Sequence, residues 1–212
     1  MESRVDRQLR ALRLAKACAA HGARVRTICH LTGMPPREVL RLFFEDRSAV
    51  PRGRPPDSPE WYHTANLLYR ADASIVMSMY GRLRAAGFGG GDSLVGAYGQ
   101  YNCISHGSRR ISFDRAFDLA SHTEGIWLTR AKSFSLVACP SCRSEFLASY
   151  GTIASSNDPC PFCKLVERFR TDPRVQASYP VRPLVVPSPR QLGLMALLGA
   201  GRVERQAQAA EG

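Results

Sequence analysis

Four cysteines in two short motifs constrain the fold of this chain more than any other feature of its sequence. Cys139-Pro-Ser-Cys142 is followed, after seventeen residues, by Cys160-Pro-Phe-Cys163. A Cys-x-x-Cys turn places two thiolates at adjacent corners of one tetrahedron, and zinc prefers four such ligands with Zn–S bonds of about 2.3 Å. The spacing lies within the range of four-cysteine zinc sites. We therefore predict that these four cysteines bind one Zn²⁺ per chain.

A closed shell of four thiolates makes the predicted zinc structural. It leaves no coordination position for water or substrate. The segment 131–170 has few large apolar residues, and metal binding in such peptides contributes roughly 10–16 kcal/mol to folding. The alternatives are a pair of disulfides or redox-active dithiols on a thioredoxin-like fold. Neither motif lies in a βαβ pattern, so zinc is favoured and no enzymatic activity is expected.

The cellular location also bears on the cysteines. No apolar run reaches the roughly 20 residues of a membrane-spanning helix, and the first residues lack the apolar stretch of a signal peptide. We therefore expect a cytoplasmic protein with reduced thiols and no membrane contact. The other three cysteines, Cys18, Cys29 and Cys103, lie on helical stripes and are predicted to be small core residues.

Apolar residues at helical spacing predict a mainly α protein. Helices are expected at about 4–21, 24–31, 37–45, 58–87, 92–106 and 112–124, and short strands at 126–128, 134–137 and 145–150. The predicted fold is a multi-helix body with a C-terminal four-cysteine, zinc ribbon-like module of short strands. Its expected domains are an α-helical DNA- and partner-binding body (1–130), a zinc-binding module (131–170) and a Pro-rich flexible tail (171–212). A basic linker is expected at 46–59, and a short apolar docking segment at 192–198.

The segment 25–44 has the pattern of a helix-turn-helix. Gly33 lies where the turn needs a left-handed residue, and apolar or small residues lie where the helices would cross: Ile28, Cys29, Met34, Val39 and Leu42. Thr32 departs from the pattern, because an apolar residue is usual at its position. The alternative is an ordinary corner between two helices with a solvated basic face.

Basic residues are concentrated in the first quarter of the chain. The net charge is +11, and residues 1–54 carry twelve basic side chains against five acidic ones. Such an excess favours a polyanionic partner. Guanidinium contacts to phosphate would give salt-dependent affinity that depends little on sequence. Six arginines are the candidate DNA contacts: Arg24, Arg26, Arg37, Arg41, Arg52 and Arg54.

Together these features resemble the FlhC family, whose members pair with FlhD in the bacterial flagellar master transcription activator. The resemblance covers about residues 5–170. Besides the four cysteines, its most specific parts are His21-Gly-Ala-Arg24, Ser58-Pro-Glu-Trp61 and the glycine followed by Asp-Ser-Leu-Val-x-Ala-Tyr at 91–98.

The resemblance implies a zinc-binding, DNA-binding activator subunit. Such a subunit forms a heterohexamer of four FlhD and two FlhC chains, binds double-stranded promoter DNA of flagellar operons and helps to recruit RNA polymerase. The family's zinc ligands correspond to Cys139, Cys142, Cys160 and Cys163. A second interpretation is a zinc-ribbon protein for RNA binding or assembly, and a third is a thiol redox enzyme.

Overall fold

The computed structural model describes residues 3–44, 46, 50–53, 58, 60–105, 110–150 and 160–179. The described chain is mainly helical, with one two-stranded sheet and a cluster of four cysteines, which confirms the predicted fold class. The helices are α1 (Arg4–Ala20), α2 (Val25–Thr32), α3 (Pro36–Phe43), α4 (Glu60–Thr64), α5 (Leu67–Ala85), α6 (Gly90–Ser105), α7 (Phe113–Glu124), α8 (Pro161–Phe169) and α9 (Pro173–Ala177). The strands are β1 (Phe134–Ala138) and β2 (Glu145–Ser149).

The chain divides into two compact units. Met1–Asp172 forms the first and Pro173–Gly212 the second. The described residues of the second unit comprise the short helix α9 and the two residues after it. The predicted domain boundaries at 130 and 170 stay predictions. The predicted linker at 46–59 is described only in part, and the docking segment at 192–198 lies outside the described residues.

Three local signals mark bounds of helices α1 to α3. Ser3 and Asp6 form a capping box at the start of α1, in which each side chain binds the backbone of the other residue. Gly33 ends α2 in the left-handed conformation with φ 73°. Pro36 then begins α3, where its fixed φ suits a first helical position. The three helices pack on one another and bury Ala15, Cys18, Ile28 and Val39.

The predicted single helix at 58–87 is wrong, because the chain forms two helices there. Helix α4 ends at Thr64, and α5 begins two residues after Ala65. The side chain of Asn66 accepts a hydrogen bond from the Tyr69 backbone N–H at 3.1 Å. An asparagine that binds the backbone in this way favours the start of a helix over its interior. The continuous apolar spacing concealed this cap.

Helix α5 is the central element of the first unit. It contacts α6, α7, α8 and both strands. Its buried carboxylate Asp72 accepts hydrogen bonds from the Tyr101 hydroxyl at 2.9 Å and from the Arg110 guanidinium at 3.1 Å. The Arg110 backbone N–H in turn donates to the Tyr101 oxygen. These bonds fix α6 and the segment before α7 against α5.

The strands form an antiparallel hairpin in which Leu136 is opposite Leu147. The predicted strand at 126–128 is wrong. Gly125 ends α7 with φ 73°, and the Ile126 N–H donates back to the Ser121 carbonyl at 3.2 Å. Trp127 then takes a positive φ of 59°. These residues form the turn that leaves the helix, so their apolar character reflects packing of Trp127 and Leu128 against the core.

Both backbone groups of Leu147 are bound by the helical body. The Leu147 N–H donates to the Ser74 hydroxyl at 3.1 Å, and its carbonyl accepts from the Tyr62 hydroxyl at 2.6 Å. All three residues are buried. We call these two bonds the strand clasp. They cover one edge of β2 and hold the hairpin in place against α4 and α5.

We expect Tyr62→Phe to lower the free energy of unfolding by about 1–3 kcal/mol, because it leaves the Leu147 carbonyl buried without this donor. Urea unfolding of the metal-loaded protein measures the change. The matched control is Tyr150→Phe, at a side chain that is 62% exposed; surface substitutions of this kind change stability by about 0.5 kcal/mol or less. Equal effects of the two substitutions would contradict the clasp.

Among the residues that the structure describes, no helix combines the length and apolar character needed to cross a membrane.

Candidate functional site

The four predicted ligands Cys139, Cys142, Cys160 and Cys163 come together. Their Sγ atoms all lie within 4.8 Å of one another. The Sγ atoms of Cys139 and Cys163 are 3.8 Å apart, as are those of Cys142 and Cys160. A tetrahedral shell with Zn–S bonds of about 2.3 Å has edges of about 3.8 Å, whereas a disulfide needs about 2.05 Å. The cluster therefore fits a metal ion held by four sulfurs.

The first cysteine motif lies in the turn that joins β1 to β2. The Cys139 carbonyl accepts from the Arg143 N–H at 2.9 Å, and the Cys139 N–H donates to the Ser144 carbonyl at 3.0 Å. Arg143 takes a positive φ of 61°, which completes this tight turn. The hairpin ladder therefore sets where Cys139 and Cys142 lie.

The second motif lies at the start of a helix, not in a second hairpin. Cys160 is the N-cap of α8, Pro161 begins the helix, and Cys163 lies in its first turn. The Lys164 N–H donates to the Cys160 carbonyl at 3.1 Å. The positive end of a helix favours thiolates placed beside it. The module thus combines one strand turn with one helix start.

The pKa values of the four thiols divide them into two classes, lowered in the first motif and raised in the second. Backbone N–H groups of Cys142 and Ser141 lower the pKa of Cys139. Burial raises the pKa of Cys142, but hydrogen bonds from the Ser144 backbone and hydroxyl and from the Cys163 and Cys139 thiols bring it down to about 6.

The two thiols of the second motif have raised pKa values. A hydrogen bond to Cys142, together with burial, raises the pKa of Cys163 to about 12. Burial raises the pKa of Cys160, although N–H groups of Cys163 and Phe162 oppose the change. Metal binding requires thiolates, so it must displace protons from these sulfurs, and its affinity falls at acid pH.

The three other cysteines lie apart from this cluster and differ in exposure. Cys18 is fully buried, and burial raises its pKa to about 12. Cys29 is half-buried and packs against the core, and burial raises its pKa. Cys103 is exposed next to the exposed Ile104, so its prediction as a core residue is wrong. The last turn of α6 carries this face away from the core.

Helices α2 and α3 have the expected placement around Gly33. Ile28 and Val39 are fully buried, and Met34 is 8% exposed. Leu42, by contrast, is exposed and does not take part in the crossing. The Thr32 hydroxyl donates to the Ile28 carbonyl at 2.7 Å and accepts from the Met34 N–H at 3.2 Å. These bonds explain how a threonine is accommodated at a position that usually holds an apolar residue.

The six candidate arginines differ in their surroundings. Arg26, Arg37, Arg41 and Arg52 are exposed, and Arg54 lies outside the described residues. Arg24 is engaged within the protein: its guanidinium lies 2.9 Å from a carboxylate oxygen of Asp114, and its Nη2 donates to the Arg52 carbonyl at 3.3 Å. Arg24 is therefore a structural residue in this fold.

Asp114 is the residue of this region that sequence reasoning missed. Its carboxylate is 4% exposed and lies in the first turn of α7. It accepts from the Arg24 N–H at 3.1 Å and from the Thr27 hydroxyl at 2.6 Å, besides the Arg24 guanidinium. In the sequence Asp114 is one ordinary acid at a helix start, and its separation of 90 positions from Arg24 conceals the contact.

A comparison with protein-family models finds no match to this chain, and a search of curated proteins finds no significant match.

Proposed function

We propose that this chain is a DNA-binding transcriptional activator subunit with a structural zinc ion, and that it acts with FlhD at flagellar promoters to help recruit RNA polymerase. The observation that carries the proposal is the helix pair α2–α3. Its inner face is buried, and its outer face exposes Arg26, Arg37 and Arg41 to solvent. The resemblance to the FlhC family supplies the partner and the class of promoter.

The electrostatics of this end of the chain support DNA as the ligand. Residues 1–54 carry twelve basic side chains against five acidic ones. Duplex DNA carries one negative charge per about 1.7 Å of its axis, so a basic surface releases many counterions when it binds. A short helix that follows a helix and a left-handed turn is the element that enters the major groove in helix-turn-helix proteins.

The four sulfurs fit zinc better than harder metals, because thiolates select zinc among abundant divalent ions. Cys139, Cys142, Cys160 and Cys163 would hold it, and the ion would supply folding energy and no reactive position. The close sulfur pairs each join one motif to the other. A redox dithiol would instead pair the two cysteines within a motif, so the geometry argues against a thiol redox enzyme.

The test is to produce the chain together with FlhD from the same genome and to purify the complex. We expect one zinc per chain, four FlhD to two of this chain by native mass spectrometry, and protection of a flagellar promoter in footprints with excess competitor DNA. A complex without promoter preference would overturn the proposal. Preference for single-stranded RNA together with indifference to FlhD would establish the RNA-binding alternative instead.

A further inference from the structure

The exposed face of α3 carries two arginines one helical turn apart. Arg37 and Arg41 are exposed, while Val39 between them is fully buried. At a rise of about 1.5 Å per residue, their backbone positions lie about 6 Å apart along the helix. Successive base pairs of duplex DNA are spaced by about 3.4 Å along the axis. The two side chains therefore match positions about two base pairs apart.

Helix α2 adds a second pair of exposed side chains beside the two arginines of α3. Arg37 and Arg41 line an open concavity together with Pro35, Pro36 and Glu38. Arg26 and His30, which are also four residues apart, line another one with Val25, Cys29 and Pro36. Because both concavities include Pro36, the outer faces of α2 and α3 form one continuous surface, which we call the α2–α3 surface.

The charges on the α2–α3 surface suit a polyanion. Glu38 is the one acidic residue among residues 25–44, all of which the structure describes, and it is half-buried. Burial, with the nearby Arg26 charge, lowers the pKa of His30. This lowered pKa favours the neutral imidazole of His30, which offers a hydrogen bond, whereas Arg26 offers a charge.

Asp114 gives this surface a fixed orientation. It binds the Arg24 backbone, the Arg24 guanidinium and the Thr27 hydroxyl at the start of α2. The Arg24 side chain is thereby held against Asp114 of α7, and Arg24 serves as a positioning residue. Side chains that distinguish bases by hydrogen bonds need such a rigid support, because the donors must be held in the geometry that fits one base and not another.

From this arrangement we infer that Arg37 and Arg41 read guanine edges in the major groove, at two positions about two base pairs apart, while Arg26 contacts the adjacent phosphates. Arginine binds guanine O6 and N7 through two parallel hydrogen bonds, which is the commonest specific contact to a base. Phosphate contacts orient the protein and carry no sequence information. This inference rests on the proposed function and names the bases that its DNA site must contain.

The experiment uses the full-length chain in complex with FlhD and a library of the footprinted promoter in which each base is varied. We expect Arg37→Ala and Arg41→Ala each to weaken binding to the best site by roughly 10-fold to 100-fold and to abolish the guanine preference at one position. Arg37→Lys keeps the charge but loses the paired geometry, so it should keep the salt dependence and lose the preference.

Two controls separate base reading from charge. Arg26→Ala should weaken binding evenly across all sequences and reduce the slope of affinity against salt by about 1. Arg82→Ala, at an exposed arginine of α5, should change neither quantity. Circular dichroism checks that each variant keeps its helices.

The results distinguish a failure of the proposed function from a failure of the assignment of α3 as the reading helix. If the unmodified complex shows no base preference, the proposed function fails, and this inference fails with it. If the unmodified complex prefers certain bases but the Arg37 and Arg41 variants keep that preference at every position, the proposed function stands and the assignment of α3 as the reading helix is overturned.

Discussion

Replacing Cys160 by serine is expected to remove the metal and to unfold the two cysteine motifs, at the turn between β1 and β2 and at the start of α8. A hydroxyl is a poor zinc ligand, and three thiolates leave the tetrahedral shell open. Metal binding in small four-ligand modules contributes roughly 10–16 kcal/mol. The local core that remains is small: Cys139, Phe146, Ala148 and Cys160 itself are its buried members. Most of the energy that orders the two cysteine motifs is therefore expected to come from the ion, whereas Phe134 and Leu147 of the hairpin pack in the core of the helical body.

Three measurements check this prediction. Elemental analysis should show one zinc per unmodified chain and almost none in Cys160→Ser. Amide hydrogen exchange should lose protection over 139–144 and 161–164, while Leu147 and helices α1 and α6 keep theirs. A thiol reagent should react with the three remaining ligands only in the variant.

Cys103→Ser is the matched control, since Cys103 is an exposed cysteine outside the cluster. It should leave the metal content and the exchange pattern unchanged. A Cys160→Ser protein with full zinc content and unchanged protection over 139–144 would show that the ligand assignment is wrong.

The second large effect is expected at Asp114. Asp114→Ala removes a buried carboxylate that binds two backbone or side-chain donors and the Arg24 guanidinium. Breaking such a pair typically costs about 3–5 kcal/mol, because it leaves a partly buried charge without its partner. The Arg24 side chain is 22% exposed, so water relieves part of this cost, and we expect a loss near the lower limit.

Chemical denaturation of the metal-loaded protein measures this loss. Asp114→Asn keeps the size and one acceptor oxygen, so it should be milder. Asp92→Ala removes an exposed acid in the first turn of α6 and should cost only about 0.3–1 kcal/mol through the helix dipole. A double-mutant cycle with Arg24→Ala should show a favourable coupling between Arg24 and Asp114. Independent effects of the two substitutions would contradict the ion pair.

Features with a local physical cause were predictable from the sequence. The four ligands follow from the reach of a Cys-x-x-Cys turn, and α7 follows from Ser112, whose side chain accepts from the Arg115 N–H at 3.3 Å. Gly33 marks the turn between α2 and α3 because few other residues tolerate its positive φ. Each of these signals acts over a few residues, and the apolar spacing around it agrees.

Features that depend on distant residues were not predictable in this way. Apolar spacing hid the cap at Asn66, and it gave 126–128 the look of a strand although Gly125 directs those residues into a turn. Arg24 resembled its basic neighbours, yet an acid from α7 binds it. The start of α8 at Cys160 was also missed, because the metal motif masked the N-cap and the following Pro161 as a helix start.

The strand clasp joins partners that are far apart along the chain. Tyr62 and Leu147 are 85 residues apart, whereas the paired cysteines are separated by 18 and 24 residues. Contacts between distant residues form later than local ones, because closing a longer loop costs more entropy. Metal binding is therefore expected to be an early step in folding, and packing of the hairpin against α4 and α5 a late one. A cell short of zinc would accumulate chains halted before the first of these steps, in which Tyr62 and Ser74 have not yet bound the backbone of β2.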